Sequence, residues 1–324
     1  MSTKARSRAL LASLFALVLA LGLAACGGDD NGGGGGGGGG KIVSNPKNGK
    51  VTVTVGSKNF TEEYILGEIY AQALEAAGYK VEKQLNLGDS NIAIKALKDG
   101  QIDGYPDYTA PVLEQFFGLE VQQIPASAQS AYQKAKSEFE KQGLTAFSPT
   151  PFADANAVGT LKTTADKLGL KTVSDLKGKS QDLTLYGSPE CRQRIDCLVG
   201  LERVYGLKFK KFTPVDIGLR YDVLDKGQAD LSILFTSDAQ LFANPDKYVL
   251  LEDDKKIFKA GNLIFITDPD VAKKAGPDYQ KTIEQVQQGL TLRVMRELNA
   301  RVDIDKQKPA DVANQYLKES GYIG

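Results

Sequence analysis

The chain has 324 residues, with 40 lysines and arginines balanced by 40 aspartates and glutamates, and it contains neither histidine nor tryptophan. A formal net charge of zero argues against a nucleic-acid partner, because a nucleic-acid surface usually shows clustered excess lysine and arginine. Without histidine there is no histidine base and no histidine-ligated metal. This removes the common hydrolytic and zinc mechanisms. We also expect no metal site and no cofactor.

The first 26 residues have the pattern of an export signal. Basic residues between positions 4 and 8 precede the apolar run 9–21, which is too short to span a bilayer comfortably. The sequence Leu-Ala-Ala-Cys that ends at Cys26 resembles the lipobox of bacterial lipoproteins. This resemblance implies cleavage before Cys26 and lipidation of its thiol, with a plain secretory signal and an incidental cysteine as the alternative.

Residues 27–50 are expected to be a flexible tether, because positions 32–40 are all glycine. A glycine-rich chain behaves as a random coil and cannot bury a core. The folded part is therefore expected to begin near Val51.

From Val51 onward, strand-like runs alternate with amphipathic helical patterns. The patterns predict strands at 51–55, 79–85 and 101–105, separated by helices at 61–77 and 90–98 and followed by a long helix at 126–141. This alternating order predicts an α/β fold with a mostly parallel sheet covered by helices.

After a proline-punctuated stretch at 148–152 the rhythm restarts. The patterns predict strands at 157–161, 183–186, 208–212, 229–235, 248–251 and 263–267, and helices at 197–205, 216–226, 237–242, 277–299 and 309–320.

We therefore expect two α/β lobes, with residues 51–154 and 262–324 in lobe I and residues 155–261 in lobe II. Two crossings between lobes form a hinge, and the cleft between them is the expected ligand site. The alternative, two independent domains in series, would leave the C-terminal helices without a sheet to cover.

The loop 56–63 joins the first predicted strand to the first helix. Such a loop gathers free backbone N–H groups and the positive end of the helix dipole, which suits an anion, and Lys58 adds a full charge. The alternative is an ordinary turn with a solvated lysine.

Cys191 and Cys197 are the cysteines of the mature chain besides Cys26. In an exported protein we expect these two to form a small disulfide loop, with a pair of buried free thiols as the alternative.

Three segments point to a known family: Gly-Ser-Lys-Asn-Phe-Thr-Glu at 56–62, Asp-Gly-Tyr-Pro-Asp-Tyr-Thr at 103–109 and Val-Tyr-Gly-Leu at 204–207. In these segments the chain resembles the substrate-binding proteins of ABC importers for glycine betaine, choline, carnitine and related osmoprotectants. The resemblance runs from about Val51 to Glu319. It implies the two-lobed type II periplasmic binding-protein fold, which closes around a small zwitterion.

The family grips a carboxylate with a lysine and an arginine. The resemblance places Lys58 and Arg194 in these roles, with Arg192 as the alternative arginine. Asn59, which follows Lys58 in the same loop, is also expected to contact the ligand.

The family encloses a quaternary ammonium in a box of tyrosines, because this cation has no N–H to donate and is held by aromatic faces. Tyr108 matches one wall, and Phe235 takes the place of another tyrosine. Asn156 and Gly261 stand where the family usually has further tyrosines. Additional walls would have to come from Tyr105, Tyr186 or Phe60.

Two alternatives remain open at the cationic end of the site. Asn156 can exchange hydrogen bonds with a polar ligand group, and Asp107 or Asp154 can face an ordinary ammonium.

Together these features predict a monomeric, lipid-anchored lipoprotein on the extracytoplasmic face of a bacterial membrane. It would capture a small carboxylated zwitterion, glycine betaine or a relative, and deliver it to the permease and ATPase of an ABC importer. The alternatives are a non-quaternary carboxylated solute or a role as a tethered sensor. An enzyme on the same fold is disfavoured, because the chain shows no nucleophile and base constellation.

Overall fold

The computed structural model describes residues 40–324. The predicted signal sequence, Cys26 and residues 27–39 of the predicted tether lie outside the described residues. The end of that tether is folded, which corrects its predicted limit at residue 50: Ile42 and Asn48 are buried, and Pro46–Lys50 form a short 3-10 helix. Within the described range, no helix combines the length and the apolar character needed to cross a membrane.

Strands and helices alternate along the described chain. The strands are β1 (Thr52–Gly56), β2 (Lys80–Gln84), β3 (Gly104–Tyr108), β4 (Thr145–Ala146), β5 (Ala153–Asp154), β6 (Asn156–Leu161), β7 (Thr184–Gly187), β8 (Lys211–Pro214), β9 (Leu231–Phe235), β10 (Tyr248–Leu250) and β11 (Gly261–Thr267). The helices are α1 (Thr61–Ala76), α2 (Ser90–Lys98), α3 (Thr109–Pro111), α4 (Ala128–Lys141), α5 (Lys162–Leu168), α6 (Leu198–Arg203), α7 (Arg220–Asp225), α8 (Ala239–Ala243), α9 (Pro269–Ala275), α10 (Pro277–Gln287), α11 (Leu292–Asp303) and α12 (Pro309–Glu319).

The strands form two separate sheets. The first has the order β2-β1-β3-β11-β4, with β5 also paired to β11, and the second has the order β10-β6-β9-β7-β8. Below, lobe I denotes the first sheet with α1–α4 and α9–α12, and lobe II denotes the second sheet with α5–α8.

Both sheets are mixed, which corrects the predicted mostly parallel pairing. β1 runs parallel to β2 and β3, and β7 runs parallel to β8 and β9. However, β11 runs antiparallel to β3, β4 and β5, and β6 runs antiparallel to β9 and β10. A parallel neighbour requires a crossover connection, whereas β6 and β11 each enter their sheet from the other lobe.

The two crossings between the lobes lie side by side. β5 ends at Asp154 in the first sheet, and β6 begins at Asn156 in the second. The start of β11 pairs with β5 through Gly261 opposite Asp154 and Asn262 opposite Ala153. A paired double crossing has the geometry of a hinge. The predicted lobe boundaries at 154 and 262 fall within this pairing, and the division itself stays a prediction.

Helix α1 follows the loop 56–60 directly and forms part of the hydrophobic core of lobe I. Most of its apolar side chains are fully buried, and the helix packs against α10, α11 and α12. Glu62 and Glu63 in its first turn are buried as well, at the end of the helix where the dipole favours negative charge.

The single predicted helix 277–299 is two helices, α10 and α11. Thr291 is the N-cap of α11, and its side chain accepts a hydrogen bond from the Val294 N–H at 3.3 Å. A Cβ atom at Gly289 would lie 2.5 Å from the Tyr316 hydroxyl, so the chain passes close to α12 here.

Strand β3 covers 104–108, three residues later than the predicted strand at 101–105. It contains Pro106, which has no N–H to give to a neighbouring strand. The short helices α5 and α9 were not predicted, because helical periodicity is hard to detect over seven residues.

Candidate functional site

A cavity of about 70 Å³ lies between the two lobes. A single water requires only roughly 10–15 Å³, so the space suits a small solute. The lining includes the predicted ligand residues Lys58, Asn59, Tyr108, Asn156, Arg194 and Phe235.

Lys58 is buried in the loop that follows β1, with only 7% of its side chain exposed. Its ammonium donates a hydrogen bond to Asp107 Oδ1 and lies 3.6 Å from Glu63 Oε1. Burial opposes the charged form of Lys58, but Asp107 and Glu63 outweigh this effect and raise its pKa. The lysine is therefore a fixed positive charge, as predicted, but it already has carboxylate partners.

Arg194 enters the cavity from lobe II. Its Nε donates to Asp196 Oδ1 at 2.7 Å, and its Nη2 donates to Asp196 Oδ2. Burial opposes its charged form, but Asp196 outweighs burial and raises the pKa of Arg194. The side-chain oxygen of Gln115 in lobe I faces Arg194 and accepts hydrogen bonds from its Nη1 at 3.3 Å and its Nη2 at 3.0 Å.

Arg192, the alternative arginine, does not line the cavity. Its side chain is exposed and packs over the Phe212 ring, with the guanidinium carbon 5.0 Å from the ring centroid. The structure thus favours Arg194 over Arg192.

A disulfide joins Cys191 and Cys197. Both cysteines are buried, and the loop between them carries Arg194 and Asp196. The disulfide therefore closes the loop that holds the arginine and its carboxylate partner.

Asn156, at the position where the family usually has a tyrosine, holds this arginine loop through hydrogen bonds to Asp196. Its Nδ2 donates to the Asp196 carbonyl at 2.9 Å and to Asp196 Oδ2 at 3.1 Å. Asn59 is exposed at the rim of the cavity.

The rings that line the cavity each lie near a protein cation. The Lys58 ammonium is 5.2 Å from the centroid of Tyr108 and 5.6 Å from that of Phe60. The Arg220 guanidinium carbon is 3.9 Å from the centroid of Phe235. Phe60 and Phe235 also contact each other from opposite lobes, with ring centroids 5.4 Å apart.

Tyr105 does not line the cavity, which corrects the prediction that it contacts the ligand. It is fully buried in the core of lobe I, and its hydroxyl donates to Asp107 Oδ2 at 2.9 Å. Its role is to orient the carboxylate that pairs with Lys58. Tyr186 does not line the cavity either.

Gly261 has no room for the family's tyrosine. A Cβ atom there would lie 2.7 Å from the Ala110 backbone nitrogen and 3.2 Å from that of Thr109. Because backbone atoms cannot move aside easily, this position is restricted to glycine.

Arg220 is a cavity residue that the sequence prediction missed. It is 4% exposed, and its Nη2 donates to Asp238 Oδ1 at 2.8 Å. Its Nε donates to the Ile217 carbonyl at 2.7 Å. A signal existed: Arg220 shares a helix face with the buried residues Val223 and Leu224, where an arginine needs a buried partner.

Asp154 also lines the cavity, at the first crossing between the lobes. Its Oδ1 accepts hydrogen bonds from Thr236 Oγ1 at 2.7 Å and from the Ser237 N–H at 2.8 Å. Burial raises the pKa of Asp154 to about 6, despite the hydrogen bond from Thr236. Burial and the nearby Asp154 raise the pKa of Glu62, which accepts from Tyr108 and Asn299, to about 7.

Glu114 belongs to lobe I and lies within electrostatic range of Arg194. It is buried, and neither carboxyl oxygen has a hydrogen-bond partner among residues 40–324. Burial, with a smaller contribution from Asp196, raises its pKa to about 9. Glu114 is therefore protonated at neutral pH.

Comparisons with known proteins agree with this fold. The family model described as the substrate binding domain of ABC-type glycine betaine transport system matches residues 51–319. A glycine-betaine-binding protein of Pseudomonas aeruginosa is 32% identical over 279 residues, covering 83% of this chain and 88% of the relative. The carnitine transport binding protein OpuCC of Listeria monocytogenes is 29% identical, covering 85% of this chain and 89% of the relative.

A solved structure described as a glycine betaine/carnitine/choline ABC transporter superposes with a TM-score of 0.65 at 26% identity. The superposition covers 82% of this chain and 98% of that one.

Two lobes, a double crossing and a cavity between them define a substrate-binding protein with the type II periplasmic binding-protein fold. The chain belongs to the family of substrate-binding domains of the ABC-type glycine betaine transport system. Substrate-binding proteins of ABC importers are extracytoplasmic, bind a small solute and work with a permease.

Substitution of Glu114 by glutamine should reduce the pH dependence of stability. Between the unfolded pKa of about 4.3 and the folded pKa of about 9, the native state keeps a proton that the unfolded chain has lost. Each pH unit of increase then destabilises the native protein by about 1.4 kcal/mol. Glu114→Gln should remove this slope between about pH 6 and 8, as measured by chemical unfolding.

The matched control is Glu138→Gln. Hydrogen bonds from Lys134 and Lys141 lower the pKa of the partly buried Glu138, so it titrates below this pH range. Parallel stability profiles for the wild type and Glu114→Gln would contradict a protonated Glu114.

Loss of the disulfide should destabilise the protein by about 2–3 kcal/mol, because the unfolded chain regains the entropy of a short closed loop. The measurement is urea unfolding of the wild type with and without a reductant. The double variant Cys191→Ser, Cys197→Ser is the control and should not respond to the reductant. An identical midpoint for the oxidised and reduced wild type would show that the bond contributes nothing.

Proposed function

We propose that this protein captures a small carboxylated zwitterion, glycine betaine or a related quaternary amine, in the cavity between its lobes. It then delivers the solute to the permease and ATPase subunits of an ABC importer. The observation that carries the proposal is that Lys58 of lobe I and Arg194 of lobe II line one cavity. Arg194 also acts to lower the pKa of Lys58, so the two cations are within electrostatic range of each other.

The charges around the cavity suit a ligand with no net charge. Four basic residues (Lys58, Arg194, Arg220, Lys259) and four acidic residues (Asp89, Asp154, Glu190, Asp196) line it. A balanced lining of this kind favours a zwitterion over a simple anion or cation, because either ion would leave one charge uncompensated in a desolvated space.

Both carboxylate-binding groups keep donors for a ligand. The ammonium of Lys58 has three N–H groups, of which one is given to Asp107. The guanidinium of Arg194 has five, of which two are given to Asp196 and two to Gln115. The internal carboxylates thus hold the two side chains in place and leave N–H groups for a carboxylate placed between them.

Contacts between the lobes supply a mechanism of capture by closure. Gln115 of lobe I contacts Arg194 of lobe II, and Arg296 of α11 donates to the Thr236 carbonyl at 3.0 and 2.7 Å. A ligand that touches both lobes binds the closed form more tightly than the open form, and this difference shifts the population toward closure.

The remaining features of the proposal are a lipid anchor at Cys26, a monomeric state and binding without covalent chemistry. The lipobox-like sequence before Cys26 supports the anchor. Membership of a family of transporter components supports a binding role over an enzymatic one.

Replacement of Arg194 by alanine should weaken glycine betaine binding by about 2–5 kcal/mol, since a desolvated charge pair loses one partner. This corresponds to a loss of about 30-fold or more in affinity. Isothermal titration calorimetry of the mature protein measures the effect directly.

Arg192→Ala is the matched control, because Arg192 lies in the same disulfide loop but outside the cavity. It should bind as the wild type does. Equal affinities for Arg194→Ala and Arg192→Ala would refute the role of Arg194. Failure of the folded wild type to bind glycine betaine, carnitine or proline would refute the proposed ligand class.

A further inference from the structure

The aromatic rings of the cavity are poorly placed to hold a ligand cation. A cation is attracted to the face of a ring, but Arg220 already covers a face of Phe235 at 3.9 Å. Lys58 lies over both Tyr108 and Phe60. A ligand ammonium at any of these rings would therefore be close to a protein cation of the same sign, which is unfavourable in a desolvated site.

Asn156 and Gly261, which stand where the family usually has tyrosines, supply no further aromatic ring to the cavity. Asn156 is committed to Asp196 through both hydrogen bonds of its amide nitrogen. Gly261 has backbone atoms where a side chain would begin. The positive end of the ligand must be compensated by another group.

Asp154 is a cavity carboxylate with one oxygen left without a partner among the described residues. Asp196 pairs with Arg194, and Asp89 caps α2 by accepting from the Ile92 N–H at 3.0 Å. Glu190 lies on the arginine side, where it helps to raise the pKa of Arg194. Within residues 40–324, Asp154 has no ion pair, and its Oδ2 accepts no hydrogen bond.

Asp107, the other carboxylate considered for this role, is already occupied. It accepts hydrogen bonds from Lys58, from the Tyr105 hydroxyl and from the Tyr108 N–H. It also does not line the cavity.

We propose that the side-chain carboxylate of Asp154 is the counter-ion for the cationic end of the ligand, in place of an aromatic box. The inference rests on the proposed function, since it assumes a zwitterion whose carboxylate faces Lys58 and Arg194. Thr236 and Ser237 of lobe II fix Oδ1 of Asp154, which leaves Oδ2 for the ligand. Because Asp154 lies at the crossing and is held by the other lobe, a cation beside it adds to the attraction between closed lobes.

The test compares glycine betaine with 3,3-dimethylbutanoate, in which carbon replaces the nitrogen and removes only the positive charge. Calorimetry with the wild type should show at least a tenfold preference for glycine betaine. In Asp154→Asn, which keeps an oxygen acceptor for Thr236 and Ser237, this preference should fall below threefold.

Phe235→Leu is the matched variant for the aromatic alternative. It should weaken both ligands alike and keep their ratio, because Arg220 covers the ring that is removed. Thermal melts establish that each variant is folded.

Three results would overturn the inference. One is a wild type that binds the two compounds equally, which needs no variant to detect. Another is a preference for glycine betaine that persists in Asp154→Asn and is lost in Phe235→Leu, as an aromatic box requires. Absence of binding of either compound to the folded wild type would overturn both this inference and the proposed function, whereas the first two results leave the proposed function intact.

Discussion

Buried positive charges need partners, and three internal ion pairs satisfy this requirement around one cavity. Lys58 pairs with Asp107, Arg194 with Asp196, and Arg220 with Asp238. An unpaired buried charge costs several kcal/mol, so none of these basic side chains could be held in the cleft without its carboxylate. The pairs fix the direction of each cation before a ligand arrives. They also offset the charges of these three basic side chains.

The architecture supplies these pairs from separate elements. Lys58 comes from the loop between β1 and α1, and its partner Asp107 comes from the neighbouring strand β3. Arg194 and Asp196 share a loop closed by a disulfide in lobe II. The ion pairs themselves stay within one lobe, whereas Gln115, Phe60 and Arg296 make contacts across the cleft. Opening of the lobes would therefore break the crossing contacts and keep the charged groups in place.

Much of the fold could be predicted from hydrophobic periodicity, since most strands and helices lie within a few residues of their predicted positions. The mixed pairing of the sheets could not be predicted in this way. The direction of β6 and β11 depends on how the chain enters each sheet from the other lobe, and periodicity does not record this. The break before α11 was visible only as Gly289 and the capping residue Thr291, two short signals inside a long helical pattern.

The site shows a similar division. Motif resemblance placed Lys58, Tyr108, Arg194 and Phe235 together, and the structure gives them one cavity. Tyr105, considered as an additional aromatic wall, faces the core of lobe I, because a strand alternates its side chains. Partners of charged groups, such as Asp107, Asp196 and Asp238, depend on tertiary contacts that no local pattern records. The same is true of Gly261, whose lack of a side chain is explained by the backbone of α3 packed against it.

The most direct measurement is a crystal structure of the mature protein with glycine betaine bound. The ligand should lie in the cavity between the lobes, with its carboxylate within hydrogen-bond distance of Lys58 Nζ and of the Arg194 guanidinium. A ligand bound outside this cavity, or one whose carboxylate points away from both cations, would contradict the central claim.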